Sequence, residues 1–242
     1  MRLVAAELLK VWTAPRTLLG ILLSELAIVL IGTIATLHSA VNDPVLPPHL
    51  SRDIATMGGI ALLFTTLVGV LIATTEYRHG TITLTFLAAP VREKVLAAKT
   101  GAAVIASVLL TLPATLLPIV IAGIWVGGRA EYHFGGHEWQ LVARLFLGAA
   151  LVAMIGFFIG ASLKRQLGAV ILVLAWLVFL EPALGGLFPG TKDYLIGPDI
   201  GGVLGDSGDD VPSFGHSFAV LVGYLVVLGA VAFVLTRRRD VT

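Results

Sequence analysis

The sequence contains no cysteine and few charged residues. Without cysteine the chain can form no disulfide, no thiolate metal site and no cysteine nucleophile. Charged residues make up 13% of the 242 positions and hydrophobic residues 57%, whereas a soluble domain carries roughly a quarter charged residues. The net charge is only +1, which gives no indication of a nucleic-acid partner. This composition excludes an ordinary soluble domain and indicates a protein embedded in lipid.

Long apolar runs account for most of the chain. A helix that crosses a bilayer needs about 20 mostly apolar residues. Six stretches meet this requirement: Leu18–Leu37, Ile54–Thr75, Gly101–Val126, Leu145–Leu163, Leu167–Leu187 and Phe218–Thr236. We therefore predict an all-α integral membrane protein in which residues 1–242 form a single transmembrane domain.

Two of these spans carry residues that interrupt helices. Pro113 and Pro118 lie within the third span and predict a kink or a break. The apolar run of the fifth span stops at Leu180, before Glu181-Pro182. We expect this span to end early or to re-enter the membrane, and we expect Glu181 to contact water. The Gly- and Asp-rich residues 182–215 that follow predict a solvated acidic loop.

Basic residues set the predicted orientation. With six spans and the N-terminus inside, twelve of the sixteen Lys and Arg residues fall on the inner side, including Arg78, Arg92 and Arg237–Arg239. Positively charged loops stay in the cytoplasm, so both termini are expected there. An odd number of spans would place Arg237–Arg239 on the wrong side.

The segment before the first span has an amphipathic pattern. Its apolar face carries Val4, Leu8, Val11 and Trp12 at helical spacing. We predict a helix over residues 2–12 that lies in the membrane interface with Trp12 at headgroup level. A simple extension of the first span is the alternative.

The longest inner segment runs from Glu76 to Lys99. Gly80 should end the preceding helix, and Thr81 can cap a short new one. Glu76 could accept hydrogen bonds from the backbone of Gly80 and Thr81, or pair with Arg78. By itself, this pattern is also that of an ordinary amphipathic loop helix at the membrane surface.

No arrangement of residues indicates catalysis or a metal site. His133 and His137 are four residues apart, but Gly135-Gly136 between them disfavours the helix that a zinc pair would need. Neither a nucleophile with a base nor a phosphate-binding loop is found. We expect no enzymatic activity and no cofactor bound by this chain.

Glu25 is the acidic residue well inside a strong span. A carboxylate in lipid is costly and is by default a functional candidate. It is a possible intramembrane polar site, either for transport chemistry or for pairing with a neighbouring helix. Two glycine pairs, Gly123-x3-Gly127 and Gly156-x3-Gly160, would allow helices to approach closely.

Four short motifs occur in a set order around the spans. They are Glu7-Leu8-Leu9-Lys10 before the first span, Glu76-Tyr77-Arg78-His79-Gly80-Thr81 after the second, Pro90, Arg92 and Lys99 before the third, and Arg239-Asp240 after the last. Together with the six spans, they resemble the permease subunits of type-2 ABC transporters, the bacterial exporters with six spans per subunit. The resemblance extends over nearly all of the chain.

The resemblance implies a division of labour between subunits. The short helix after Glu76 would be the coupling helix that docks into a separate ATP-binding subunit, with Glu76, Arg78, His79, Gly80, Thr81 and Leu84 carrying the coupling. ATP and magnesium would be bound by two copies of that partner. A second permease chain, identical or related, would complete a substrate path lined largely by spans two and five. The implied location is the bacterial plasma membrane. The substrate, whether drug, peptide or lipid-like, does not follow from the resemblance.

Three rival functions remain open at the level of sequence. A stand-alone secondary transporter would use Glu25 as a proton site, and its flux would need no ATPase. A membrane enzyme would need a catalytic group that the sequence does not reveal. A membrane scaffold or sensor without transport is the third.

Overall fold

The computed structural model describes residues 2–13, 15–42, 45–89, 91–129, 132–205 and 211–238, with their side chains except at positions 2, 11–13, 15, 16, 189 and 238. This part of the chain is helical and contains no β-strand. Six of its helices are long and apolar enough to cross a membrane. The predicted class, an all-α multi-pass membrane protein, is confirmed at this level.

The helices follow one another with short connections. Helix α1 (Arg2–Thr13) precedes the first span, α2 (Pro15–Asn42). The second span comprises α3 (Leu50–Thr56), a 3-10 turn (Met57–Ile60) and α4 (Ala61–Arg78), and the short α5 (Ile82–Ala88) follows it. The third and fourth spans are α6 (Arg92–Trp125) and α7 (Gly136–Leu163). The fifth comprises α8 (Gln166–Ala175), a π-helical turn (Trp176–Leu180) and α9 (Glu181–Leu187). A 3-10 helix (Pro189–Tyr194), α10 (Ile196–Leu204) and the sixth span, α11 (Phe214–Arg238), complete the order.

The six predicted spans coincide with these helices, apart from Val126, which lies one residue beyond α6. The helices are longer than the apolar runs because backbone hydrogen bonding continues into the polar residues at each end. The predicted helix before the first span is present as α1. The Trp12 side chain, Pro90 and the Arg239-Asp240 motif lie outside what the structure describes.

The second and fourth spans form the centre of the bundle. In the most apolar stretch of each, 56% of the residues are buried, against 17% in the first and fifth spans and 11% in the sixth. A Cβ atom added at Gly69 would overlap the carbonyl oxygen of Ala153, and one at Gly156 would overlap that of Thr66. Glycine is therefore needed where α4 and α7 touch, and the pair Gly156-x3-Gly160 packs inside the chain.

The third span is a single helix. Helix α6 continues through Pro113 and Pro118, so the predicted break is absent. Proline is tolerated in membrane helices because neighbouring groups can satisfy the backbone that it frees. A Cβ atom at Gly123 would meet open space. A Cβ atom at Gly127 would come closest to the backbone of Gly123. Among the described residues, this second glycine pair therefore brings no other helix close.

The fifth span does not end at Leu180. A π-helical turn carries the helix past this residue into α9, and the chain then folds back as α10. Ile196 and Val203 of α10 are buried in a cluster with residues of α7 and α11. The prediction of a solvated loop over residues 182–215 is therefore wrong for residues 196–204, because their apolar side chains find a place against two spans. The acidic stretch 206–210 lies outside the described residues.

Side-chain contacts define the two ends of the bundle. At one end, Arg78 contacts Gln166, and Glu93 pairs with Arg237. We call this the proximal end; it carries α1, α5 and the turn between α7 and α8. At the opposite, distal end, Arg52 donates to the carbonyl oxygen of Gly205. Thr17 and Leu18, near the start of α2, line the same cavity as Arg78. The start of α2 and the end of α11 therefore lie on the same side, as an even number of spans requires.

Candidate functional site

Four charged side chains form a closed ring at the proximal end. Lys10 Nζ lies 2.6 Å from Glu7 Oε1 and 2.6 Å from Glu76 Oε1. Lys99 Nζ lies 2.7 Å from Glu7 Oε2 and 3.0 Å from Glu76 Oε2. Each lysine therefore contacts both glutamates. We call these four residues the charge ring.

The charge ring joins segments that are far apart in sequence. Glu7 and Lys10 lie on α1, Glu76 near the end of α4, and Lys99 in the first turns of α6. The Thr85 hydroxyl of α5 also donates to Glu76 Oε1, at 2.9 Å. Glu76 is consequently the group through which α1, α4, α5 and α6 are all held together.

The ring is largely buried and electrically balanced. Glu7, Glu76 and Lys99 are between 5% and 7% exposed, whereas the Lys10 side chain is 45% exposed. Partial burial lowers the pKa of Lys10, but the hydrogen bonds and negative charges of Glu7 and Glu76 outweigh this effect and raise it. Removing one partner of a buried ion pair leaves the other uncompensated, which is strongly destabilising. The arrangement therefore fixes α1 against the bundle.

Helix α4 ends in a defined backbone motif. The Thr81 amide donates to the Glu76 carbonyl oxygen at 3.0 Å, and the Gly80 amide donates to the Tyr77 carbonyl oxygen at 3.4 Å. Gly80 has φ +68°, a conformation that favours glycine. These are the bonds of a Schellman motif. The prediction that Gly80 ends this helix is confirmed.

Helix α5 presents an apolar surface away from the bundle. Ile82 is buried at 5% exposure, whereas Leu84 is 66% exposed and Leu87 is 76% exposed. The guanidinium group of Arg92 lies 5.3 Å from the centre of the Phe86 ring. One side of this short helix is thus anchored to the bundle, and the opposite side is free to contact another surface.

The predicted coupling residues lie together at the proximal end. Arg78, His79, Gly80 and Thr81 are exposed beside α5. Arg78 Nη1 donates to Gln166 Oε1 at 3.4 Å, and His79 Nδ1 lies 2.9 Å from the Thr75 carbonyl oxygen. Their grouping follows from the sequence, since they are consecutive.

Two details of the predicted bonding are wrong. The Glu76 carboxylate does not bind the Gly80 or Thr81 backbone, nor does it pair with Arg78; it binds Lys10, Lys99 and Thr85 instead. The Thr81 side chain makes no capping hydrogen bond to α5. The reason is that the Schellman motif already occupies the Gly80 and Thr81 amides, which leaves the carboxylate for the lysines.

Sequence reasoning did not identify Glu7, Lys10 and Lys99 as partners of Glu76. Each belonged to a short motif, but the contacts that join them span 66 residues from Lys10 to Glu76 and 92 from Glu7 to Lys99. The available signal was charge balance. Two acidic and two basic residues lie at the ends of spans that must meet at the same membrane surface.

Glu25 lies in a buried polar layer. Val29, Ala61 and Ala114 pack together in one cluster. Glu25, Thr65 and Thr111 lie three or four residues nearer the proximal end on the same helices, about 4.5–6 Å along each axis. All three are 0% exposed. Within the described part of the chain, the Glu25 carboxylate and the Thr111 hydroxyl have no hydrogen-bond partner, so the alternative of pairing with a neighbouring helix is not realised.

Glu181 organises the distal end. Its carboxylate accepts hydrogen bonds from Trp176 Nε1 at 2.7 Å, from the Ile196 amide at 2.9 Å and from the Gly197 amide at 2.8 Å. It is 4% exposed, so the expectation that it contacts water is wrong. A carboxylate at a helix N-terminus satisfies free amides and complements the helix dipole. Glu181 therefore connects the π-helical turn of the fifth span to α10.

In the part of the chain that the structure describes, no three His, Asp or Glu side chains come close enough to hold a metal ion. His133 lies before α7 and His137 lies within it, so they do not form a pair on one helix.

Comparison with known proteins gives no family for this chain. No protein-family model matches it, and a search of curated proteins finds no match.

Proposed function

We propose that this chain is the membrane-spanning permease subunit of an ATP-driven exporter. It would work with two copies of a separate subunit that binds ATP and magnesium, and with a second permease chain, identical or related. The substrate would be a drug, peptide or lipid-like molecule that crosses the plasma membrane of a bacterium. The chain itself would bind no cofactor and catalyse no reaction.

The observation that carries this proposal is the way in which α5 is held and exposed. Glu76 and Thr85 fix α5 to the charge ring, while Leu84 and Leu87 point away from the bundle. Exposed leucines beyond the end of a span need cover from a protein partner or from the membrane surface, and we propose the protein partner. A short helix of this kind suits the groove of an ATP-binding subunit, as the family resemblance implies.

The charge ring provides a route for mechanical coupling. A push on α5 would reach Glu76 at the end of the second span and Lys99 at the start of the third through direct contacts. It would also reach α1 through Lys10. We therefore assign Glu76 the central coupling role, with Arg78, His79, Gly80, Thr81 and Leu84 forming the docking surface. Helix α1 would lie in the membrane interface.

A second permease chain would cover apolar surface that a single bundle leaves open. Leu23 and Ile31 on α2 are 64% and 67% exposed, and Leu167 and Phe179 in the fifth span are 73% and 71% exposed. Lipid can cover such surface as well. As the family resemblance implies, pairing would place the second and fifth spans of two subunits around one path.

The proximal end would face the cytoplasm, where ATP is found. This orientation also satisfies the bias of basic residues toward the inner side. Cysteines introduced singly at Ser51 and at Thr242 of this cysteine-free chain test it with an impermeant thiol reagent on intact cells. Labelling at position 51 and none at position 242 is expected; the opposite pattern would reverse the orientation.

The proposal is tested by capturing partners through α5. The tagged chain is purified from membranes of its own host, and associated proteins are identified by mass spectrometry. We expect an ATP-binding subunit that is lost when Leu84 and Leu87 are both changed to Asn. Leu163→Asn is the control, because Leu163 is 41% exposed at the proximal end but lies outside α5. If the double variant retained the ATPase, α5 would not be the docking element.

Glu25 supports a second candidate, a secondary transporter that needs no ATPase. Its carboxylate is fully buried and has no hydrogen-bond partner among the described residues. A transport cycle could use such a group to carry a proton. Proton flux in vesicles that contain only this chain, abolished by Glu25→Gln, would favour this candidate over the ATP-driven exporter.

A further inference from the structure

A cavity of about 270 Å³ opens at the proximal end beside the charge ring. Its walls are α1, the first residues of α2, the last turns of α4, Lys99 of α6 and the start of α8. Its volume is just below the range of roughly 300–1,000 Å³ that is typical of small-molecule sites. It can therefore hold a headgroup and the beginning of a chain, but not a large ligand.

The lining of the cavity changes from apolar to polar along α4. Leu18, Val68, Leu71 and Ile72 line the part nearer the middle of the bundle. Thr75, Arg78 and His79 line the part nearer the proximal end. Val68 and Arg78 are about 15 Å apart along the helix axis. This gradient matches the junction between the headgroup and the acyl chains of a membrane lipid.

The cavity has an excess of positive charge. The two lysines and two glutamates of the charge ring all line it and balance one another. Arg78 adds a further positive charge. Its contact with the Gln166 amide is long, at 3.4 Å, and no carboxylate pairs with it in the part of the chain that the structure describes. An anionic group is the ligand that would complete this arrangement.

We propose that this cavity binds an anionic phospholipid from the leaflet at the proximal end. The phosphate would lie against Arg78 and Gln166, because guanidinium groups bind phosphate through two parallel hydrogen bonds. The first methylenes of an acyl chain would lie along Leu71 and Ile72. Basic cavities between spans at a membrane surface commonly bind such headgroups. This inference does not depend on coupling to an ATPase.

Such a lipid would connect the second span to the fifth. Arg78 ends α4, and Gln166 begins α8, so a phosphate held by both would bridge them. Bound lipid would therefore stabilise the relative position of these spans. It would do so next to Glu76, which also lines the cavity.

The test compares lipids of different headgroup on the purified full-length chain. Phosphatidylglycerol and phosphatidylcholine with identical acyl chains are titrated into detergent solution, and binding is followed by native mass spectrometry and by the shift in melting temperature. We expect phosphatidylglycerol to bind more tightly. Arg78→Gln should weaken its binding on the order of tenfold, as expected for the loss of a charge-assisted contact.

Further variants separate the proposal from a loss of folding. Arg78→Lys keeps the charge and should retain most of the binding, while Gln166→Glu adds a negative charge without changing size and should weaken it. Lys94→Gln is the control, because Lys94 is exposed on α6 near the same end but does not line the cavity. The proposal would be overturned if both lipids bound equally, or if Arg78→Gln bound phosphatidylglycerol as tightly as the parent chain. It would also be overturned if glycerol phosphate, which has no acyl chains, raised the melting temperature as much as phosphatidylglycerol does.

Discussion

At the scale of single residues, Glu76 joins more elements of the proximal end than any other member of the charge ring. Its carboxylate lies within 3.0 Å of Lys10, Lys99 and Thr85, and the residue is 7% exposed. Charged hydrogen-bond partners removed from a buried site cost about 1–3 kcal/mol. The remaining carboxylate of the charge ring, Glu7, can balance only one of the two lysines.

We therefore expect Glu76→Ala to fold and insert with a stability lower by about 1–3 kcal/mol. Glu93→Ala is the matched control, because Glu93 pairs with Arg237 at 3.0 Å while both side chains remain largely exposed. Exposed pairs contribute at most about 1 kcal/mol. Unfolding of both variants in detergent, followed by tryptophan fluorescence, measures the difference. Equal losses would show that the charge ring does not hold the proximal end together.

Asp199, at the distal end, makes the stability of the folded chain depend on pH. The residue is 0% exposed on α10. Burial raises the pKa of its carboxyl group to about 6; the Ser217 hydroxyl and His216 oppose this effect, and the charges of Asp193 and Glu181 add to it. Because the pKa is higher in the folded than in the unfolded chain, the folded state binds this proton more tightly. The stability that the proton contributes is present in acid and is lost as the pH rises through about 6.

Replacing Asp199 by Asn should remove this dependence. We expect Asp199→Asn to melt at a higher temperature than the parent chain at pH 8, and the two to converge near pH 4. Glu93→Gln, at the opposite end of the bundle and largely exposed, should change the melting temperature little at either pH. If Asp199→Asn were destabilising at both pH values, the ionised carboxylate would have a favourable partner in the folded chain.

At the scale of helices, the contact between α4 and α7 determines the bundle. A Cβ atom at Gly156 would meet the backbone of Thr66, which cannot move aside as a flexible side chain can. We expect Gly156→Ala to cost about 1–3 kcal/mol through overpacking. Gly223→Ala is the matched control, since a Cβ atom at Gly223 meets nothing within 4 Å. The two variants are compared by their yield in the membrane and by their melting temperature. Equal yields and equal melting temperatures would contradict the close contact between α4 and α7.

The positions of the spans and the end of α4 could be predicted from the sequence. The spans follow from hydropathy because lipid demands about 20 apolar residues in a row. The end of α4 follows from Gly80, because a helix commonly ends at a glycine with positive φ. Both are local properties, so a single stretch of sequence contains the information.

Features that depend on distant segments could not be predicted in this way. The charge ring needs α1, α4 and α6 to meet, and no local pattern specifies that meeting. Helix α10 lies in a stretch rich in glycine and proline, which resembles a loop until α7 and α11 provide a surface for Ile196 and Val203. Glu181 was expected in water because its amide partners, Ile196 and Gly197, follow 15 and 16 residues later.

At the scale of the whole molecule, the bundle has a packed centre and open flanks. The second and fourth spans are the most buried, while the first, fifth and sixth are the least buried. In a membrane these flanks are covered by lipid or by another subunit. The proposed function requires a subunit on part of this surface and an ATPase at the proximal end.

The measurement that tests this most directly is native mass spectrometry of the complex purified through this chain from its own membrane. We expect two permease chains, identical or related, together with two ATP-binding subunits. The mass would fall by two ATPase subunits when Leu84 and Leu87 are changed to Asn. A particle that contains a single permease chain and no ATP-binding subunit would contradict the proposed function.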